Sequence, residues 1–431
     1  MDTRNNILDN EAGNLPDGWE IKKLGDICSK LASGATPTGG DSSYKTSGIS
    51  LIRSQNVLDF TFSHNGLAFI DDDQAKKLKN VEIQEKDILI NITGDSVARC
   101  CTVPNKVLPA RVNQHVMIIR VNDKTCNIDY IKYYLLNPDT KNYLLSLSLS
   151  GATRKALTKI MLENLEIRLP PIEEQKEIAA ILSSLDDKIE LNQQINKKLE
   201  EMAQALFKEW FIDFNFPDEN GNPYRDSGGA MIDSELGQIP ASWSVGKLGD
   251  YVTIKRGGSP RPIQEYLSDC GLRWLKISDA TATVAPFIFD IKEFIRESGI
   301  SKTVLLNKGS LVLSNSATPG IPKILAVDSC IHDGWLYFQN SKFSNEFLYL
   351  LFKDIRVQLV QQGNGSVFTN LKTDIVKSHL MAIPDNIVLN KFNELASIVF
   401  LQMKSNCQQI NNLTCLRNML LPKLMSGGIK I

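Results

Sequence analysis

From Ile178 to Leu206 the chain keeps a four-three beat: Ile178, Leu182, Leu185, Ile189, Asn192, Asn196, Leu199, Ala203 and Leu206. Apart from its two asparagines the beat is apolar, and the spacing predicts a helix with a coiled-coil seam. Pro170 and Pro171 precede it; prolines stop a preceding element and are tolerated at a helix start. Glu173 and Glu174 then fall in the first turn, where the helix dipole favours them. Adding 214 to the seam gives Phe392, Ala396, Val399, Met403, Asn406, Ile410, Leu413, Arg417 and Leu420, apolar at seven of nine positions. A helix of about 40 residues is about 60 Å long, more than the core of one domain needs, so each long helix is expected to partner the other. The seam alone leaves parallel and antiparallel pairing open.

The rest of the apolar pattern has another period. Short β-rich runs such as "DILINI", "HVMIIRV", "SLVLS" and "GWLYFQ" lie between Gly, Pro, Asn and Asp turns and predict a twisted sheet. The amphipathic stretches "NIDYIKYYLLN" and "SNEFLYLLFKDI" predict short flanking helices.

These elements occur twice. "LPDGWEIKKLGD" at 15–26 returns as "IPASWSVGKLGD" at 239–250, an offset of 224. At an offset of 223, "GATP" pairs with "GGSP", "LIRSQN" with "WLKISD" and "KDILIN" with "GSLVLS". "DYIKYYLL" matches "EFLYLLFK" at 217, and "SGATRKAL" matches "NGSVFTNL" at 214. The order is kept and the offset drifts one way, as loop deletions produce, so the chain reads as a duplication. The boundaries are then an arm at 1–14, a mixed block at 15–171, a helix at 172–212, a linker at 213–238 rich in Gly, Pro, Asn and Asp, a second block at 239–384, a second helix at 385–426 and a tail at 427–431. Each block is long enough to bury its own core.

Charge adds a pattern that the net value of −1 conceals. Residues 15–170 hold 20 Lys+Arg against 17 Asp+Glu and residues 240–384 hold 16 against 12, whereas residues 172–239 hold 6 against 15. The two blocks are mildly basic and the first helix with its linker is acidic. No apolar run reaches membrane-span length and no signal peptide opens the chain, which points to the cytoplasm. Eight scattered cysteines without a Cys-x-x-Cys pair, and four histidines, argue against a zinc site.

Catalytic signatures are missing. There is no phosphate loop, dinucleotide fingerprint or His-Glu-x-x-His pair. Asp71, Asp72 and Asp73 read as a solvated loop before a metal site, His115 and His332 as structural histidines, and Cys100-Cys101 as packing residues. The blocks instead carry polar loops with interspersed cations at corresponding places. In the first these offer Thr36, Thr38, Arg53, Gln55, Asn56, Thr93, Arg99, Asn113, Gln114, Thr153, Arg154 and Lys155. In the second they offer Arg256, Ser259, Arg261, Lys276, Ser278, Asn315, Ser316, Thr318, Asn364, Ser366 and Thr369. Arg and Lys pair with guanine edges or phosphates, Asn and Gln with adenine, and Ser or Thr with either. These residues are the candidate DNA contacts.

The paired "LPDGWEIKKLGD" and "IPASWSVGKLGD", the "LPPIEEQKEIAAILSSLDDKIELNQQINKKLEEMAQALFKEWFIDF" helix, "DSELGQIPASW" and the terminal "LRNMLLPKLMSGGI" together resemble the DNA-specificity subunit of type I restriction-modification systems. The resemblance covers nearly the whole chain. It implies an α+β fold in which two pseudo-repeated α/β target-recognition domains are separated by a long antiparallel two-helix coiled coil. Each domain would read one half of a split site in double-stranded DNA. The helices would set the spacer and dock two modification subunits; restriction subunits complete the complex. By the same resemblance the chain is no enzyme and needs no cofactor of its own, S-adenosylmethionine and ATP belonging to the partners. Half-sites read from one side of a duplex lie about 34 Å apart. Two departures stand out: "IPDNIVLNKFNEL" lacks the Pro-Pro-x-Glu-Glu-Gln opening of the first helix, and Arg417 on the seam predicts fraying near that end. An antiparallel pair also predicts that Asn192 meets Asn406 and fixes the register. A duplicated coiled-coil adaptor that binds proteins or sugars is the alternative reading.

Overall fold

The computed structural model describes residues 15–122, 124–149, 155–363 and 370–431. The chain divides into two compact units, Met1–Ile189 with Asn412–Ile431, and Glu190–Asn411. The division runs through both long helices, Ile172–Phe211 and Asn386–Met425, so the helices are not a body of their own. The second helix lacks the Pro-Pro pair of the first; after Pro384, Asp385 caps it, accepting from Val388 N at 2.9 Å.

In the first unit a four-stranded antiparallel sheet takes the order Cys28–Ser33, Val116–Val121, Ile88–Asn91, Cys100–Thr102. A second sheet orders Ala68–Ile70, Ile49–Ile52 and Ala110–Val112, the last two parallel. Alternation along a strand explains why Ile88–Asn91 is buried throughout: Ile88 and Ile90 enter one core while Leu89 enters another. The first core also takes Tyr130 and Tyr134 from the helix Ile128–Leu136, and Ile178, Leu182, Leu421 and Leu424 from the long helices.

The second unit repeats this plan. Thr253–Arg256, Trp335–Gln339, Leu311–Ser314 and Pro322–Leu325 succeed one another as their four counterparts do, and Phe287–Ile288 adds an edge. Glu293–Ile295, Leu272–Leu275 and Ser329–Ile331 reproduce the smaller sheet, again with its last pair parallel. Both units are closed by an antiparallel strand pair, Glu20–Lys23 with Glu166–Leu169 and Ser244–Lys247 with Leu380–Ile383. The duplication in sequence is a duplication of topology. Leu311 and Leu313 enter a core with Phe207, Phe211, Phe392 and Phe400 of the long helices and Phe347 of the helix Asn345–Gly363. Five phenyl and indole rings from Phe207, Trp210, Phe211, Phe347 and Phe392 meet edge-on or tilted, with centroids 4.7–6.4 Å apart.

Within the second unit the long helices run antiparallel: Asn196 faces Asn406, and farther along Phe207 faces Phe392. In the first unit Asp186 faces Arg417 with the same sense, since Ile178 and Leu182 share a core with Leu421 and Leu424. Every seam residue, Ile178, Leu182, Leu185, Ile189, Asn192, Asn196, Leu199 and Leu206 on one helix and Val399, Met403, Asn406, Ile410, Leu413 and Leu420 on the other, is buried or half-buried. The seam widens beyond the two-residue stripe: Phe207 is more deeply buried than Leu206, because each helix packs on a recognition block as well as on its partner.

Four expectations need correction. Asn192 does not meet Asn406; its Nδ2 donates to Gln409 Oε1 at 3.3 Å, and Asn406 bonds Asn196. In an antiparallel pair, four residues forward on one helix are four residues back on the other, so the repeat offset cannot also be the contact register. Arg417 does not fray the pairing. It is buried, its Nη1 donates to Asp186 Oδ1 at 2.6 Å, and its guanidinium lies 3.4 Å from the Phe60 ring centroid. The 213–238 segment is not a plain extended linker. Phe216 is buried between Tyr224 and Trp243, stacked at 4.6 and 5.3 Å, and Met231–Ser234 pairs with Gly237–Pro240. Its aromatic residues outweigh its turn-forming composition. Asp71 is the N-cap of a short helix, Asp72–Lys77, and not part of a solvated loop.

Candidate nucleic-acid interface

In the first unit the candidate loops leave the same ends of neighbouring strands, and that brings them together. Thr36 Oγ1 bonds Gln114 Oε1; Gln114 Nε2 lies 3.4 Å from His115 Nε2; Thr93 Oγ1 lies 2.7 Å from His115 Nδ1. Gly94 N donates to Lys155 O at 3.1 Å and Asn113 N to Ile52 O at 3.0 Å, which ties in the remaining loops. Close approach requires glycine at Gly34, where a Cβ would stand 2.1 Å from Asn113 O.

Within this rim the candidates do different things. Thr36, Thr38, Gln55, Gln114 and Lys155 are exposed; Arg53, Thr93 and Arg99 are half-buried. Arg53 Nη2 and Gln55 Nε2 both donate to Gly66 O, at 2.6 and 3.0 Å, and Gln74 bonds the Thr38 backbone twice, at 3.2 and 3.0 Å. Asn56 is a correction. It is wholly buried, accepts from Arg53 N, and donates to Ser63 O and Asn65 O, so it holds the loop and offers nothing outward. Asn113 is likewise buried, with Oδ1 accepting from His115 N. Thr153 and Arg154 lie outside the described residues.

The second unit builds its rim around a carboxylate. Ser259 Oγ donates to Asp333 Oδ1 at 2.7 Å; Arg256 and Arg261 place Nη2 3.9 and 3.7 Å from Asp333 Oδ2; Asn315 Nδ2 donates to Asp333 O at 3.2 Å. Ser259, Arg261, Lys276, Ser278, His332 and Asp333 line one cleft of about 920 Å3 with Trp274 and the Pro260 and Pro262 rings. Lys276 Nζ pairs with Glu293, and Lys276 N donates to Asp279 Oδ2 at 2.9 Å, the counterpart of the Arg53 N bond to Asn56. Ser278 is exposed, Ser316 and Thr318 are half-buried, and Asn315 is buried. Asn364, Ser366 and Thr369 lie outside the described residues.

Asp333 was not among the sequence candidates. Its signal was available only through the repeat: it falls in the turn between two strands, where the first unit has Gln114, and Ser259 stands at the counterpart of Thr36. Gly257 repeats Gly34, with a Cβ there 2.3 Å from His332 O. The Ser259 hydrogen bond, with the Arg256 charge, holds the Asp333 carboxyl below its ordinary range, whereas burial pushes His332 below its own. The carboxylate is charged and the imidazole neutral near pH 7. Among the described residues no group of three or more His, Cys, Asp or Glu side chains is placed to hold a metal.

A family model described as "Type I restriction modification DNA specificity domain" matches residues 16–201. The type I restriction enzyme MjaIX specificity subunit of Methanocaldococcus jannaschii is 26% identical over 98% of this chain and 96% of its own length. Residues 16–201 thus carry the match to a type I specificity domain, and nearly the whole chain is similar to type I restriction enzyme specificity subunits. The HindI specificity subunit of Haemophilus influenzae is 25% identical across 95% of this chain and 99% of that protein. The crystal structure of a type I restriction-modification S subunit from M. genitalium shares the fold, with a TM-score of 0.55 at 14% identity, covering 95% of this chain and 97% of that one. In this family setting the two polar rims are the surfaces to compare. They have the same scaffold and a different chemistry, neutral around Gln114 and charged around Asp333.

Proposed function

We propose that this specificity subunit reads a bipartite site in double-stranded DNA, each unit recognising one half. The observation that carries this reading is the repeated rim: the same strand order presents Thr36–Gln114 in one unit and Ser259–Asp333 in the other. Side chains of these types on a fixed scaffold, exposed at Thr36 and Gln114 and half-buried at Ser259 and Asp333, match base edges, while the excess of Lys and Arg in both blocks favours phosphate contacts. Loops on rigid strands suit variation of the site without change of fold.

The chain acts as the reader in the cytoplasm and leaves catalysis to its partners. Exposed Leu191, Ile195 and Met202 form a stripe on the first long helix, as do Leu395, Ile398 and Leu401 on the second. Apolar helix faces of this kind favour protein partners, and we assign them to two modification subunits, which supply adenine methylation with S-adenosylmethionine; restriction subunits add ATP-driven cleavage. Among the described residues no helix is long and apolar enough to cross a membrane.

The experiment is duplex binding by the full chain together with its methyltransferase partner across a salt series. Sequence-specific retention with a steep fall in affinity as salt rises supports the reading. Binding that is absent, or blind to sequence, removes it.

A further inference from the structure

The rims differ in one respect that the repeat does not explain. Positions equivalent to Arg256, Arg261 and Asp333 in the first unit are Ser33, Thr38 and Gln114, all uncharged. The second unit has placed two guanidinium groups and a carboxylate where the first has hydroxyls and an amide.

The carboxylate is fixed before DNA arrives. Its Oδ1 accepts from Ser259 Oγ at 2.7 Å, Asp333 N donates back to Ser259 Oγ at 3.3 Å, and Arg256 Nε donates to Asp333 O. Only Oδ2 is left for cations, and Arg256 and Arg261 share it at 3.9 and 3.7 Å. One carboxylate cannot neutralise two guanidinium groups. The Arg261 side chain is 84% exposed and that of Arg256 54%, so their remaining N–H groups face outward. Beside them the cleft is lined by the apolar side chains of Pro260, Pro262 and Trp274. A planar fork restrained in advance loses less entropy when it pairs with a planar edge.

We propose that Asp333 is a positioning residue that holds Arg256 and Arg261 for reading guanine in the half-site of the second unit. This rests on the DNA-reading function above and adds a base class to it. Arginine bidentate to guanine O6 and N7 is the commonest specific contact in the major groove. Asp333 acts through the arginines by limiting where their forks point.

The test is selection of preferred sites from a randomised duplex library by the full chain with its methyltransferase partner. Wild type is compared with Arg261→Ala and Asp333→Asn. Wild type should select a bipartite motif with guanine at a defined position in one half. Arg261→Ala should lower that guanine preference about tenfold or more. Asp333→Asn should relax the same position while leaving affinity for unrelated duplex undiminished, because it removes a negative charge. The other half must keep its preferences in both variants, which also shows that the chain has folded. Three outcomes overturn the proposal: a motif with no guanine in the affected half, a motif that survives both variants, or uniform weakening on all sequences, which would make the arginines phosphate contacts. A wild-type complex that selects no bipartite motif contradicts the DNA-reading function itself.

Discussion

Asn406 Nδ2 donates to Asn196 Oδ1 at 2.9 Å across the two long helices, and both side chains are buried. Asn196 Nδ2 in turn lies 3.3 Å from Met403 O and 3.2 Å from Cys407 Sγ, so the pair is anchored on the facing backbone. A one-turn slip would part these two amides and break both anchoring contacts. Asn196→Leu or Asn406→Leu alone should cost about 1–3 kcal/mol by leaving a buried amide without its partner. The double variant should recover much of that, and a urea-denaturation cycle measures the coupling.

Arg417 makes the equivalent statement in the first unit. Asp186 accepts from Arg417 Nη1 at 2.6 Å and from Tyr133 Oη at 2.7 Å. Asp186→Leu leaves a buried guanidinium uncompensated, at a cost of about 3–5 kcal/mol. Asp186→Leu with Arg417→Leu should be closer to wild type than Asp186→Leu alone. Equal losses in the single and double variants would show that the pair is not coupled.

Lys323 gives the second unit a pH dependence. It is buried, Nζ donates to the Thr283 and Ala285 carbonyls, and burial pulls its pKa down from 10.5 to about 8. Below pH 8 the lysine is charged in both folded and unfolded chains, and the cost of burying that charge is fully present. Between pH 8 and 10.5 the folded protein loses the proton first, so the cost is relieved as pH rises. Wild type should therefore gain stability relative to Lys323→Met over that window, read as the difference between their denaturation midpoints. A difference independent of pH would contradict the assignment.

Gly34 and Gly257 test the scaffold of the rims. A Cβ would meet Asn113 O at 2.1 Å in one and His332 O at 2.3 Å in the other. Each Gly→Ala substitution should destabilise its own unit by more than about 1 kcal/mol, since the obstructing atoms are backbone. Proteolysis of the two units, followed separately, should show each change confined to one of them.

Much of this was legible in the chain. The buried strands announced themselves as β-rich runs between turns, the seam kept its beat over 40-residue helices, and the duplication placed corresponding loops in register. What escaped depends on geometry. The Asn192–Asn406 pairing failed because a repeat offset says which residues are equivalent and not which ones touch. Arg417 read as a flaw because Asp186 and Phe60, its partners, lie far away in sequence. Asn56 looked like a base reader because a turn-holding amide and a base-reading amide have the same side chain; only burial separates them. Asp333 was passed over because one acid in a turn gains meaning only when Ser259, Arg256 and Arg261 arrive around it. Phe216 and Tyr224 were lost in a Gly- and Pro-rich segment whose composition suggests a linker.

In the proposed function the two units read separate halves of one site. Methylation-motif sequencing of cells that express the chain with the methyltransferase proposed as its partner tests it directly, using wild type and two variants, Thr36→Ala with Gln114→Ala in the first unit and Ser259→Ala with Asp333→Ala in the second. A bipartite motif is expected, with a change confined to one half for the first variant and to the other half for the second, and an unchanged spacer. A continuous motif, or a single variant that alters both halves, would contradict it.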